Sequence, residues 1–155
     1  KVTGEHYGTI SVKNGTLQFD GKGLTGGQVE IDMTTMVCDD LKDAGLNGKL
    51  IGHLKSDDFF SVEKFPVASL MLTQAKRLSG NDYELTGNLT IKGITQPVTF
   101  NAAVVQEGKA LAASGKMTIN RAKYDVRYGS GSFFQGLGDK LIYDDFTLDF
   151  RLTTE

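Results

Sequence analysis

Few side chains in this sequence are of a type and spacing that could do chemistry. His6, His53 and Cys38 are soft ligands of the kind that zinc requires, but they stand in no C-x-x-C or H-E-x-x-H arrangement. The adjacent carboxylates at 57–58 and 144–145 could act as acid–base pairs, although acidic neighbours at turns more often cap backbone N–H groups. We therefore expect no metal site, no catalytic residue and no enzymatic activity.

The composition indicates one domain of ordinary charge, residues 1–155. The chain has 155 residues and a formal net charge of −2, which predicts no nucleic-acid partner. No apolar run approaches the roughly 18 residues of a membrane-spanning helix, so we expect no stable membrane insertion. The sequence begins with Lys1 in what resembles the middle of a strand. We expect a mature or trimmed chain whose leader is not visible.

Alternation of apolar and polar residues with period two dominates the chain and predicts about eight β-strands, mostly linked by hairpins. Asn14-Gly15 predicts a tight turn between the first two strands, because both residues tolerate positive φ. KGITQP, residues 92–97, predicts a short loop between two later strands. Met71 interrupts the alternation of Leu70 and Leu72 and is expected to face outward. Eight antiparallel strands can close into a barrel that holds one small ligand.

Two stretches interrupt the strands. In residues 34–66 the spacing of Leu46, Leu50 and Leu54 predicts a short amphipathic helix between the third and fourth strands, and Ser56 indicates the cap of a second, shorter turn. Residues 121–144 form a glycine-rich segment around Phe133 and Phe134. Because long loops in compact domains are usually functional or mobile, we expect these two phenylalanines to fold over a barrel mouth.

Several motifs together resemble the YceI-like family. They are HLKSDDFFSVEKFPVASL at 53–70, GNLTIKGITQPVTF at 87–100, the initial KVTGEHYG and INRAKYDVRYG at 119–129, and they occur in the family's order. The resemblance implies a mainly β fold, an eight-stranded antiparallel lipocalin-like β-barrel with one or two short helices between strands 3 and 4. Compared with the family, we expect this chain to start after the residues that usually open the first strand. Its first edge is therefore expected to be incomplete or differently closed.

The resemblance also implies a function. YceI-like proteins are expected to bind a polyisoprenoid or another long-chain amphiphile, such as an isoprenoid quinone, in a long apolar tunnel. They are typically bacterial and often periplasmic or exported, so we expect such a location here, with a cytoplasmic one as the alternative. Because they are frequently dimeric, a homodimer is one expected state of this chain. No cofactor is expected other than such a bound lipid.

The predicted lining of the tunnel consists of the inward-facing strand residues and the loop phenylalanines. These are Ile10, Val12, Leu17, Phe19, Ile31, Met33, Phe59, Phe60, Leu70, Leu72, Leu85, Leu89, Ile91, Phe100, Met117, Ile119, Phe133, Phe134, Leu148 and Phe150. Arg121, Tyr124 and Arg127 flank the glycine-rich loop, where they could meet a polar head group by charge-assisted hydrogen bonds; a solvated loop is the alternative.

Two other functions are compatible with the same strands. An enzyme that uses the barrel as a reaction chamber would need convergent polar side chains on the inner faces, and the predicted strands show almost none. A ligand-free, partner-binding domain would instead have an interior packed shut, with large residues facing Gly87 and Gly115. In a lipid-binding barrel the small inward residues would leave space for a ligand. In a ligand-free domain they would allow close packing.

Overall fold

The computed structural model describes residues 4–154, which form one antiparallel sheet of seven strands in chain order. The strands are β1 (Gly8–Asp20), β2 (Gly23–Cys38), β3 (Val67–Ser79), β4 (Asp82–Ile91), β5 (Ile94–Glu107), β6 (Ala110–Asn120) and β7 (Asp145–Thr153). One helix, α1 (Ala44–Lys55), lies between β2 and β3, and short 3-10 turns occur at Arg121–Tyr124 and Gly138–Lys140. The mainly β, lipocalin-like fold class is confirmed, with the sheet curled into a half-barrel.

The prediction of eight strands was wrong because the first two predicted strands are one continuous strand. Asn14 pairs with Glu30 and Gly15 with Val29, so the expected turn lies inside the β1–β2 ladder. Lys13 is an extra residue between the Val12–Ile31 and Asn14–Glu30 pairs, and such a bulge exchanges the faces of a strand. The bulge, rather than a hairpin, explains the change of alternation. The helix consequently lies between strands 2 and 3, not 3 and 4.

The alternation in the later strands is confirmed. Along β4, Tyr83, Leu85, Leu89 and Ile91 are buried on one face. The loop predicted at KGITQP is shorter than expected: Lys92 and Gly93, both with positive φ, form a two-residue turn, and β5 begins at Ile94.

The helix α1 begins at an N-cap and ends at a serine. The Asp43 side chain accepts a hydrogen bond from the Leu46 N–H at 2.9 Å, which satisfies one of the free donors at the helix start. At the other end the Ser56 hydroxyl donates to the carbonyl of His53. Within residues 4–154, no helix has the length and apolar character needed to cross a membrane.

The sheet has two ends that differ in what covers them. At the helix end lie α1, residues 56–66, the 92–93 turn and residues 121–144. At the hairpin end lie the turns at 21–22, 80–81 and 108–109. Across the described residues, β1 pairs with β2 and β7 with β6, so the sheet ends in two edge strands and no backbone ladder joins them.

Candidate ligand-binding face and its two ends

The inner face of the sheet, the face whose apolar side chains pack into the core, is not uniformly buried. On β4, β5 and β6 most of its apolar side chains are buried, and Ile94, Val98 and Leu111 are partly buried. On β1, β3 and β7 the apolar side chains that pack against the same core, except the buried Ala68, stay partly exposed, and we call this set the accessible strip. The accessible strip comprises Ile10, Leu17, Phe19, Leu70, Leu72, Ala75, Phe146, Leu148 and Phe150.

The structure brings most of the predicted lining residues into one core. Buried are Met33, Phe59, Leu85, Leu89, Ile91, Phe100, Met117 and Ile119. Partly buried against them are Ile10, Leu17, Phe19, Ile31, Phe60, Leu70, Leu72, Leu148 and Phe150. Three others lie outside the core: Val12 is 46% exposed on the edge strand β1, and Phe133 and Phe134 are 40% and 49% exposed on the 121–144 loop.

Gly87 and Gly115 provide no empty space on the inner face. A Cβ atom on Gly115 would lie 2.9 Å from Cζ of Phe150, whose ring stacks edge-to-face on Phe100 with centroids 5.6 Å apart. A Cβ atom on Gly87 would lie 2.6 Å from the Met71 carbonyl oxygen. These glycines therefore accommodate close neighbours, and room for a ligand has to come from the accessible strip.

At the helix end, aromatic rings close the core. His53 contacts Phe59 and Tyr128 edge-on, with centroids 5.0 Å and 4.4 Å apart, and the Arg121 guanidinium lies 5.5 Å from the centroid of Phe59. Phe60 packs edge-on against Phe146 at 6.1 Å. Residues 53–60 and the 121–144 loop thus pack together as one plug.

Arg121 stabilises this plug from within. It is 4% exposed, and its Nε, Nη1 and Nη2 donate to the carbonyls of Tyr143, Val126 and Ile142 at 3.1, 2.8 and 3.0 Å. Burial lowers the pKa of Arg121, an effect that the nearby Asp144 carboxylate opposes. All three guanidinium nitrogens thus hold the loop backbone.

The structure leaves Arg121 and Tyr124 little freedom to contact a head group, and the role of this segment as a head-group site stays a prediction. Arg121 is committed to the loop, and Tyr124 is only 2% exposed, with its pKa raised by burial. Arg127 is exposed, but it forms an ion pair with Asp125 and stacks 4.6 Å from the centroid of Phe133. The guanidinium groups of Arg121 and Arg127 are both engaged by groups of the protein itself.

The loop carrying Phe133 and Phe134 is anchored at its base. The hydroxyls of Ser130 and Ser132 donate to the Asp144 carboxylate and hold the pKa of that carboxyl below its ordinary value. Ser130 itself is fully buried. The role of the two phenylalanines as a lid stays a prediction.

At the hairpin end lies an open pocket of about 410 Å³, and most of its lining residues are polar. Beneath it Leu24 and Tyr83 are buried, 4% and 3% exposed, and the Leu24 N–H donates to the Tyr83 hydroxyl at 3.2 Å. Lys22 and Arg77 lie at its rim, with the Arg77 guanidinium 5.5 Å from the centroid of the Tyr83 ring. Sequence reasoning missed this pocket.

Comparison with known proteins places these features in a family. A family profile described as YceI-like domain matches residues 1–154. A UPF0312 protein of Enterobacter sp. strain 638 is 34% identical over 134 residues, covering 81% of this chain and 67% of that protein. Protein YceI of Salmonella arizonae is 34% identical over 102 residues, and there the match spans only 50% of the relative's length.

Solved structures show the same fold. The crystal structure of Burkholderia cenocepacia BcnA superimposes with a TM-score of 0.72 at 26% identity, covering 92% of this chain and 83% of that one. A Campylobacter jejuni YceI protein superimposes with a TM-score of 0.70 at 19% identity, covering 99% and 89% of the two chains.

Proposed function

The chain belongs to the YceI-like family, and from this premise we propose that it binds a long-chain amphiphilic lipid on the inner face of its sheet. The proposed ligand is a polyisoprenoid or isoprenoid quinone, and the role is storage or transport without catalysis. A chain of isoprene units has few polar groups to satisfy, so its receptor needs a long apolar surface and few specific contacts.

The accessible strip is the observation that carries this proposal. Along β3, Leu70 and Leu72 pack against the core and yet retain contact with solvent, and Leu148 does the same on β7. A ligand lying along these strands would remove that apolar surface from water, which is favourable by roughly 25 cal/mol per Å². A domain whose function needed only its own stability would gain by covering these residues itself.

A partner-binding domain without a lipid is the second candidate. The close packing at Gly87 and Gly115 favours it, because the middle of the sheet is filled by Leu70 and Phe150 rather than left open. In that case the accessible strip would be covered by protein, and purified material would carry no lipid. Lipid occupancy therefore separates the two candidates.

The test is organic extraction of the protein purified from a bacterial host, followed by lipid mass spectrometry, with native mass spectrometry of the same sample to count ligands per chain. We expect a prenyl-chain lipid in near-stoichiometric amount. Fatty acids in its place would keep the carrier function and change its specificity. An empty extract, together with no thermal shift on adding quinones or polyprenols, would overturn the proposal.

Two neighbouring substitutions on β3 provide a matched pair. Leu72 lies on the inner face, whereas Met71 is 55% exposed on the outer face, as its position in the alternation predicted. Leu72→Gln should lower lipid occupancy at least about fivefold, since an amide placed against an apolar chain loses hydrogen bonds to water. Met71→Gln should leave occupancy unchanged. Equal losses in both variants would point to a general folding effect.

A further inference from the structure

We propose that the hairpin-end pocket binds an anionic head group, a phosphate or carboxylate, of the amphiphile whose chain lies along the inner face. This inference rests on the proposed function and narrows it: the ligand is an acidic amphiphile rather than a neutral quinone. It also places the head group at the end of the sheet opposite to Arg121 and Arg127.

The register of β3 puts apolar side chains and a cation on one face. Leu70 pairs with Leu89, Ala75 with Leu85 and Arg77 with Tyr83, and these partners on β4 are all buried on the inner face. Thr73 is an extra residue between the pairs of Leu72 and Gln74, so the inward row continues past it to Ala75 and Arg77. The row therefore runs from apolar residues at the middle of the strand to a guanidinium at its end.

The charges at the pocket favour an anion. Neither Arg77 nor Lys22 forms an ion pair with any carboxylate in residues 4–154. The one carboxylate that lines the pocket, Asp20, already accepts the backbone N–H groups of Lys22 and Gly23 at 2.7 and 3.1 Å. Two cations against one engaged carboxylate leave a net positive charge at the rim.

The pocket is also continuous with the apolar surface on which a chain would lie. Leu24, Ala75 and Tyr83 line the pocket and belong to the core or pack against it, and Leu72 continues that surface along β3. The stacking of Arg77 on the Tyr83 ring positions the guanidinium beside this surface. A head group held at the rim would leave its chain directed toward the helix end, which the aromatic plug closes.

The test compares three ligands with the same dodecyl chain, measured by displacement of the neutral dye Nile red from delipidated protein at low ionic strength. The ligands are dodecyl phosphate, dodecanol and dodecyltrimethylammonium. We expect dodecyl phosphate to bind about tenfold more tightly than dodecanol, because charge-assisted hydrogen bonds reward the anion. The cationic ligand should be the weakest. Inorganic phosphate at millimolar concentration should neither displace the dye nor compete with dodecyl phosphate.

Substitutions of Arg77 and Lys22 test whether these residues cause the preference for dodecyl phosphate. The double variant Arg77→Gln/Lys22→Gln should bind dodecyl phosphate and dodecanol within about twofold of each other, with its affinity for dodecanol unchanged. Arg77→Glu should reverse the preference toward dodecyltrimethylammonium. Lys76→Gln is the matched control and should behave as the unmodified protein. Lys76 is an exposed cation on the outer face beside Arg77, opposite Glu84 in the backbone register.

The outcomes distinguish the two proposals. If all three dodecyl ligands bind equally and the Arg77 variants change nothing, the head-group site is overturned and the lipid-binding function stands. If none of the three displaces the dye, both are overturned. Competition by inorganic phosphate alone would show a free-anion site and overturn the assignment to an amphiphile.

Discussion

The two ends of the sheet each hold an arginine beside an aromatic ring, and the two arginines differ in what else they contact. Arg121 lies against Phe59 at the helix end, is 4% exposed and donates to three loop carbonyls. Arg77 lies against Tyr83 at the hairpin end and is exposed. A long loop that folds back over an arginine saturates its donors, whereas tight hairpin turns supply no such carbonyls. The same side chain is structural at one end and available at the other.

Removing each guanidinium in turn tests whether the two arginines differ in their contribution to stability. Arg121→Met leaves three carbonyls without donors inside the plug, and at about 1 kcal/mol each we expect unfolding to become easier by about 3 kcal/mol. Arg77→Met should cost less than about 0.5 kcal/mol, as is usual for exposed positions. Urea denaturation of both variants measures the difference. Similar losses would mean that Arg77 is as structural as Arg121.

A smaller effect is expected from the glycine that supports the pocket floor. Gly23 has φ of 134°, and a Cβ atom there would lie 2.0 Å from the Tyr83 hydroxyl oxygen. Gly23→Ala should therefore destabilise the protein by about 2 kcal/mol, through backbone strain together with displacement of a buried ring. The change in midpoint of urea unfolding gives this value.

Tyr83→Phe tests whether Gly23→Ala destabilises the protein through a clash with the Tyr83 hydroxyl. It removes the clashing oxygen, so Gly23→Ala should cost less in the Tyr83→Phe background than in the original protein. Equal costs in the two backgrounds would assign the whole effect to backbone conformation.

The smallest of the three effects concerns the base of the long loop and depends on pH. Hydrogen bonds from Ser130 and Ser132, together with the charge of Arg121, hold the pKa of Asp144 below the ordinary 3.8. A lowered carboxyl pKa stabilises the folded state above the unfolded pKa, and this contribution is lost as pH falls through the folded pKa. Asp144→Asn should therefore cost about 1 kcal/mol at neutral pH.

The pH profile checks that assignment. The difference in unfolding free energy between the original protein and Asp144→Asn should stay constant from neutral pH down to about pH 5 and shrink below about pH 4. A difference that is constant down to pH 3 would show that the carboxylate charge plays no part. Asp145→Asn, at the exposed neighbouring carboxylate, controls for removal of a charge.

Much of the fold could be predicted from the alternation of apolar and polar residues. The predictions that failed have a common cause, a bulge in a strand. In β4 the ladder is regular, so every second residue from Tyr83 to Ile91 could be assigned to one face from the sequence. In β1 the bulge at Lys13 produced the same change of pattern as a turn, and Asn14-Gly15 has the composition of one. A single extra residue cannot be told from a hairpin without knowledge of the opposite strand.

The candidate site was predicted less well for related reasons. Arg121 was expected to meet a ligand because nothing in the sequence shows that the carbonyls of residues 142–143 return to it. Arg77 was overlooked because the bulge at Thr73 ends the visible alternation after Leu72. An inward arginine at the end of an apolar row is a signal that becomes readable only once the bulge is known.

The irregular register of β1 has a consequence for the behaviour of the protein at high concentration. An exposed edge strand with a straight ladder can template the addition of a strand from another molecule. Three register shifts interrupt β1, and the unpaired residue at one of them is the charged Lys13. The same departures from regularity that disguise this strand in the sequence make it a poor template for aggregation.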